Sequence, residues 1–183
     1  LKLWSLARSE SCPDLDEFEK EFPIDRNWLD ELGLQTQVVI KKNDPSYQHG
    51  RLLYSAVRSY LLTTGTPHIS IVETGTARGF SALCMARAIS DAGVSGRIVT
   101  FDVLPHNQKM YWNCIGDGSG PKTRAELLKD YEELLDYIVF VQGDTKIQLP
   151  KVVNSRVQLA FLDGVHNEEY VEFEFNQVSK VQK

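Results

Sequence analysis

The sequence predicts an α/β domain built on a doubly wound, mostly parallel sheet, and two observations carry that prediction. Four short runs rich in β-branched and aromatic residues, at 69–74, 97–102, 137–142 and 157–162, alternate with stretches whose apolar residues recur at helical spacing. Each run ends on, or is followed by, glycine or an acidic residue, the usual composition of a turn that leaves a strand. Strands separated by helices pair in parallel, with the connecting helices covering both faces of the sheet. A length of 183 residues suits a single domain with a substantial core.

The elements follow in order. Residues 1–45 are acidic around 14–21 and carry Trp4, Phe18, Phe22 and Trp28 beside Pro13, Pro23 and Pro45. This composition predicts an N-terminal extension that packs on a main domain spanning 46–183. From Ser46, a plausible N-cap, the period turns helical: Leu53, Tyr54, Val57, Tyr60 and Leu61 share one face, and Thr63-Thr64-Gly65 is a stop. After the first strand and Gly75, a second helix runs through Ala82, Leu83, Ala86 and Ile89, with Gly93 and Gly96 expected to end it. Leu127, Leu128, Tyr131, Leu134 and Leu135 predict a third helix before the third strand, and 168–181 a last one after the fourth. Between them, 105–121 contains His106, Tyr111, Trp112, Asn113 and the glycine-rich run 116–120. Loops of that length are uncommon in compact domains, and this one reads equally as a substrate lid or as a disordered surface loop. A fourth strand at a bare edge would invite aggregation, which predicts residues beyond Lys183 or a covering partner.

Composition narrows the functional classes. With 42% apolar and 25% charged residues, disorder and fibrous architectures are excluded. A net charge of −5 argues against a nucleic-acid or membrane-surface binder held by bulk electrostatics. No apolar run approaches a membrane span, and Leu1 to Arg8 do not form a signal peptide. The missing initiator Met predicts a trimmed chain. Cys12, Cys84 and Cys114 form no C-x-x-C pair, and with no glycosylation sequon they point to a reducing, cytoplasmic setting.

The turn at 72–81, Val-Glu-Thr-Gly-Thr-Ala-Arg-Gly-Phe-Ser, joins a strand to a helix. Glycines there let a ligand approach the backbone and the free N–H groups of the helix start, although a tight turn with no ligand has the same look. Charge separates the ligand classes. A dinucleotide would set its pyrophosphate over this turn, yet Glu73 stands just before Gly75 and Ala77 replaces a glycine. Two negative groups a few Å apart repel by about 1–4 kcal/mol at intermediate dielectrics. S-adenosylmethionine lacks phosphate and carries a cationic sulfonium and amino group, so an acidic neighbour suits it. The phosphate-binding G-x-x-x-x-G-K-[ST] pattern is absent. Glu73, Asp102, Asp144 and Asp163 each end a strand, where open α/β sheets bind ligands. Singly they read as helix caps; together they mark one edge. Asp102 is placed to accept hydrogen bonds from ribose hydroxyls, and Gly143-Asp144-Thr145 to meet adenine.

Glu73-x-Gly75-x-Ala77-x-Gly79, Asp102, Gly143-Asp144-Thr145 and Phe161-Leu-Asp-Gly-x-His166 resemble class I S-adenosylmethionine-dependent methyltransferases. The likeness covers about 47–183 and is nearest the branch of macrocin-type sugar O-methyltransferases and cephalosporin hydroxylase-like proteins. It implies a Rossmann-like sheet of seven strands, four of them in this chain. It also implies a cofactor set of Glu73, Gly75, Thr76, Ala77, Gly79, Ser81, Asp102, Val103, Asp144 and Thr145. Glu73 and the turn would take the methionine end, Asp102 the ribose, and Asp144 with Thr145 the adenine. Some relatives hold Mg²⁺ through an aspartate at the Asp163 position and acids after a fifth strand, which makes Asp163 a metal-ligand candidate without its partners.

Methyl transfer needs mainly proximity and alignment, worth about 7–11 kcal/mol. A hydroxyl acceptor also needs help in losing its proton. His166 is the candidate base, and Asp163 could orient it, contact the cofactor's amino group or ligate a metal; capping the helix at Glu168 or a local hydrogen bond is the plain alternative for His166. His49, His68 and His106 are weaker candidates, and His166-x-Glu168 lacks the second histidine of an iron site. The expected function is O-methylation of a small-molecule or sugar acceptor, with no nucleic-acid or membrane partner; the sequence admits a homo-oligomer. Two other classes compete: an NAD(P)-dependent oxidoreductase, and a non-catalytic nucleoside-binding or scaffold protein of the same fold.

Overall fold

The computed structural model describes residues 2–39 and 45–182; Leu1, 40–44 of the expected extension and Lys183 lie outside the described residues. Four parallel strands, β1 (His68–Thr74), β2 (Ser95–Asp102), β3 (Ile138–Gln142) and β4 (Leu159–Leu162), lie in the order β3-β2-β1-β4. Ile71 stands opposite Ile98 on one side and Leu159 on the other. The chain steps outward from β1 to β2 and β3, then returns to place β4 on the far side of β1. That reversal makes the β1–β4 boundary the switch point, where ligands bind at the strands' C-terminal ends.

Strand pleating sends alternate side chains into two cores. Ile69, Ile71 and Ile98 join the larger core under α4 (Tyr47–Thr64) and α5 (Phe80–Ala92), while Val72, Val99 and Phe101 join the smaller one with Leu149 and Val178. Those last two belong to α8 (Thr145–Val152) and α9 (Glu168–Ser179). Helices thus cover both faces. The expected helix faces are present: Leu53, Tyr54, Val57 and Leu61 are buried on α4, and Leu83, Ala86 and Ile89 on α5. Gly65 and Gly93 end these helices in the left-handed conformation. Gly96 does not end a helix. It lies within β2, where a Cβ would come within 2.9 Å of Ile69 and Ile89, so the glycine lets the end of α5 cross close over the sheet.

Ahead of α4 lie α1 (Lys2–Ser9), α2 (Pro13–Phe18) and α3 (Arg26–Thr36); Trp4 of α1, Ile24 of the link before α3, and Leu29 and Leu32 of α3 join the larger core. Asp25 caps α3 by accepting the Asn27 and Trp28 N–H groups. Arg51 of α4 ties these helices down: its buried guanidinium donates to Glu19 (2.6 Å), Gln48 (2.6 Å) and Asp16.

Two expectations about the segment between β2 and β3 change. The single helix expected through Leu127–Leu135 is instead α6 (Arg124–Leu127), a 3₁₀ turn at Lys129–Tyr131 and α7 (Glu132–Leu135). The Gln35 amide of α3 donates to the Leu127 carbonyl, and the resulting break lets Leu127, Leu128, Tyr131 and Leu134 all be buried. The 105–121 loop is also folded, not disordered. Met110 and Lys122 exchange two 3.0 Å backbone hydrogen bonds, and buried Trp112 donates its indole N–H to the Lys122 carbonyl. Arg78 fastens the loop to the body through the Trp112 carbonyl at 2.7 Å. Among the described residues, no helix is long and apolar enough to cross a membrane.

Candidate functional site

A cleft of about 270 Å³ opens across the C-terminal ends of the strands, on the switch point. Its floor is the turn after β1. Gly75 has φ +86°, and a Cβ on it would stand 2.1 Å from the Asp163 carbonyl oxygen, so no larger residue fits without moving backbone. Ala77 is also in the left-handed region, at φ 46°. Its N–H donates to Asp102 Oδ2 at 2.5 Å, and its carbonyl accepts from Arg124 Nε at 3.1 Å. Asp102 Oδ1 accepts the Leu104 N–H at 2.8 Å. The carboxylate at the end of β2 is therefore a strap across the turn as well as part of the cleft wall.

On the opposite wall, Asp144 caps α8 through the Lys146 N–H (2.8 Å) and accepts the Tyr170 hydroxyl (2.9 Å). Below it, Glu174 of α9 is 1% exposed, and its carboxylate accepts the Thr74 (2.8 Å) and Thr145 (2.6 Å) hydroxyls. Asp163 completes the wall after β4. Asp102, Asp144, Asp163 and Glu174 all line the cleft, and among the described residues no Lys, Arg or His side chain does. The surface offered to a ligand is strongly negative.

The expected residues divide into two sets. Gly75, Ala77, Asp102, Val103, Asp144, Thr145 and Asp163 line the cleft; Glu73, Thr76, Gly79, Ser81 and His166 do not. Glu73 departs furthest from expectation. Strand pleating turns it toward α5, where it is fully buried and accepts hydroxyl hydrogen bonds from Ser81 and Thr100. Burial pushes its carboxyl up to about 7 against those two hydrogen bonds, and the negative charges of Asp163 and Asp102 add to the rise. Thr76 is buried beside it, sharing a 2.6 Å hydrogen bond with Thr100. Gly79, at φ +90°, starts α5 where a Cβ would meet Leu128 at 2.8 Å. These residues shape the turn from behind.

His166 lies at the rim. Its side chain is 78% exposed and its Nε2 stands 3.8 Å from Asp163 Oδ1. The cap of α9 is Asn167, which accepts the Tyr170 N–H, so His166 is not the capping residue, and its nearest charged neighbour is the local Asp163. Asp163 does not gather a metal site: among the described residues, no three His, Cys, Asp or Glu side chains group to hold an ion. The Mg²⁺ expectation is therefore dropped, since one carboxylate beside an exposed imidazole is not the oxygen-rich donor set that ion requires.

Sequence reading missed Glu174, Tyr170 and Arg124. A signal existed for the first two. Tyr170, Glu174 and Val178 repeat every four residues along α9, so Glu174 is an acid within a helix's inward stripe. Arg124 gave no such sign, because it is brought to the turn from 47 residues away.

Four parallel strands with helices on both faces and a cleft at the switch point make a Rossmann-like fold. The chain belongs to the family described as "Methyltransferase domain", whose model matches residues 72–183. Among solved structures it is similar to the O-methyltransferase NovP, at 16% identity over 85% of this chain and 79% of that one, with a TM-score of 0.61. Cofactor-bound Rv0187 from MTB aligns at 20% identity over 92% and 69% of the two chains (TM-score 0.56). The SAH-bound Podospora anserina methyltransferase PaMTH1 aligns at 20% over 88% and 61% (TM-score 0.54), so this chain spans less than two thirds of that protein's length. At these identities the likeness is one of fold. Comparison with curated protein sequences gives no match.

Proposed function

We propose that this chain binds S-adenosylmethionine in the switch-point cleft and transfers its methyl group to an oxygen of a small-molecule or sugar acceptor. The observation that carries the proposal is the charge of the walls: four carboxylates and, among the described residues, no cationic side chain. A ligand with a sulfonium and an ammonium group gains from that field, whereas a pyrophosphate would be repelled. Family membership supports methyl transfer, and the likeness to NovP, itself an O-methyltransferase, is what favours oxygen as the acceptor atom.

In this reading the chain's own residues mainly bind and align. The cofactor supplies an activated methyl carbon. The backbone at Gly75 and Ala77 would hold its methionine end, Asp102 would accept from the ribose hydroxyls, and Asp144 with Thr145 would bound the adenine. Glu73, Ser81 and Thr76 hold the turn in place from the α5 side. His166 Nε2 is the candidate acceptor of the hydroxyl proton, and Asp163 steadies the imidazolium that results.

Calorimetric titration of the full chain with S-adenosylhomocysteine, S-adenosylmethionine and NAD is the deciding test. Binding of the first two without the third supports the reading; preference for NAD overturns it. His166→Ala is expected to leave cofactor affinity unchanged and to lower turnover by about 10²-fold or more. Unchanged turnover on an accepted substrate would remove His166 from the chemistry.

A further inference from the structure

Arg124 opens α6 with a side chain that is 2% exposed. Its guanidinium lies over Trp112 (5.1 Å to the ring centroid) and Phe140 (5.5 Å), and its Nε donates to the Ala77 carbonyl. Its Nη2 is buried without a hydrogen-bond partner and stands 3.7 Å from Asp102 Oδ2. That same oxygen accepts the Ala77 N–H. Ala77 is thus held from both sides in a conformation that L-residues avoid, by Asp102 at its N–H and Arg124 at its carbonyl. Both Ala77 and Asp102 line the cleft, and Arg124 stands behind them.

The arrangement also counts out the acceptor capacity of Asp102. An ionised carboxylate has about four lone-pair sites. The Ala77 and Leu104 N–H groups use two of them, which leaves two for a ligand. An arginine in direct contact would consume one more. At 3.7 Å, Arg124 keeps a positive charge beside Asp102 without taking a lone pair.

Building on the cofactor reading above, we infer that Arg124 is a positioning residue for the nucleoside. It holds Asp102 and the Ala77 turn as one unit, so that the carboxylate presents its two free acceptor sites to the paired hydroxyls of a ribose. Trp112 carries one flank of the guanidinium, so this loop residue acts on nucleoside binding without itself lining the cleft.

The test is a binding cycle on the full chain with S-adenosylhomocysteine and its 2′-deoxy and 3′-deoxy analogues. The unsubstituted chain is expected to bind each analogue about tenfold or more weakly than the parent, the size of a hydrogen bond to a charged group. Arg124→Gln is expected to weaken the parent by roughly tenfold and to shrink the deoxy penalty to about threefold or less. An equal loss for parent and analogues, or no loss at all, overturns the positioning role and leaves Arg124 a packing residue. Should Arg124→Gln show no cooperative melt, Arg124→Lys and Asp102→Asn carry the test. The lysine effect must then vanish in the Asp102→Asn background, and its persistence at full size overturns the inference. Absence of any binding by the unsubstituted chain overturns the cofactor reading first, and this inference with it.

Discussion

Arg51 and Arg124 are each 2% exposed, yet they live in opposite electrostatic surroundings. Arg51, among the N-terminal helices, meets Glu19 and Asp16, and Glu19 in turn meets Arg26 at 2.6 Å. Burial alone would lower its pKa, but the two carboxylates outweigh burial and raise it. Arg124, behind the cleft, has its pKa lowered by burial, which Asp102 and Glu73 do not fully offset. The same contrast holds for the acids. Glu19 is bridged by two arginines, whereas Glu73 and Glu174 receive only hydroxyl hydrogen bonds. Buried charge in the N-terminal layer is matched and serves the fold. Near the cleft it is unmatched, and the excess is negative where a cationic ligand would sit.

The most severe way to probe the matched side is Arg51→Met, which leaves Glu19 with only its half-exposed Arg26 partner. Breaking such a pair is expected to cost about 3 kcal/mol in urea denaturation, with nucleoside affinity of the folded protein unchanged. A loss below about 1 kcal/mol would mean that the N-terminal charges do not hold the fold.

On the unmatched side, Glu73 predicts a pH dependence of similar size. A carboxyl held at about 7 in the folded chain, against an ordinary 4.5, binds more protons folded than unfolded. Its stabilising share is complete below about pH 4.5 and is lost as pH rises through about 7, a span of about 3 kcal/mol. Denaturation midpoints between pH 5 and 8 should fall accordingly, and Glu73→Gln should flatten that part of the curve. A wild-type midpoint that rises over this range would show that Glu73 is ionised and stabilised in place.

Smaller effects sharpen the picture. Ala77→Gly relieves a left-handed alanine and is expected to raise stability by about 1 kcal/mol, read as a higher Tm. Glu174→Gln keeps the two threonine contacts, because a hydroxyl can turn to accept from the amide. It removes one negative charge, so S-adenosylmethionine should lose about threefold in affinity while the uncharged-sulfur S-adenosylhomocysteine loses less. Equal losses would take Glu174 out of the charge argument.

The succession of strands and helices, the helix faces and the turn at Gly75 were legible because each depends on residues close in sequence. Gly65 and Gly93 stop helices by their own backbone freedom, and Ile69, Ile71 and Ile98 announce a buried strand face. The failures share one cause, which is a partner from far along the chain. Gln35 breaks the helix after Leu127 from 92 residues away, and Trp112 orders a loop that the sequence left open between a lid and a disordered segment.

For the site, sequence alone determined which strand ends carry acids, since that follows from local order along alternating strands and helices. It could not determine which of those acids face a ligand. Both sides of β1 are covered, so alternation alone does not say which face meets a ligand; the pleat sets Glu73 with Ile69 and Ile71 on the α5 face, where Ser81 and Thr100 hold it behind the turn. The pairing of Asp102 with Ala77, the reach of Arg124 and the placing of Glu174 were likewise settled in three dimensions. Hydrogen bonds and desolvation act over a few Å of space, whatever the separation along the chain.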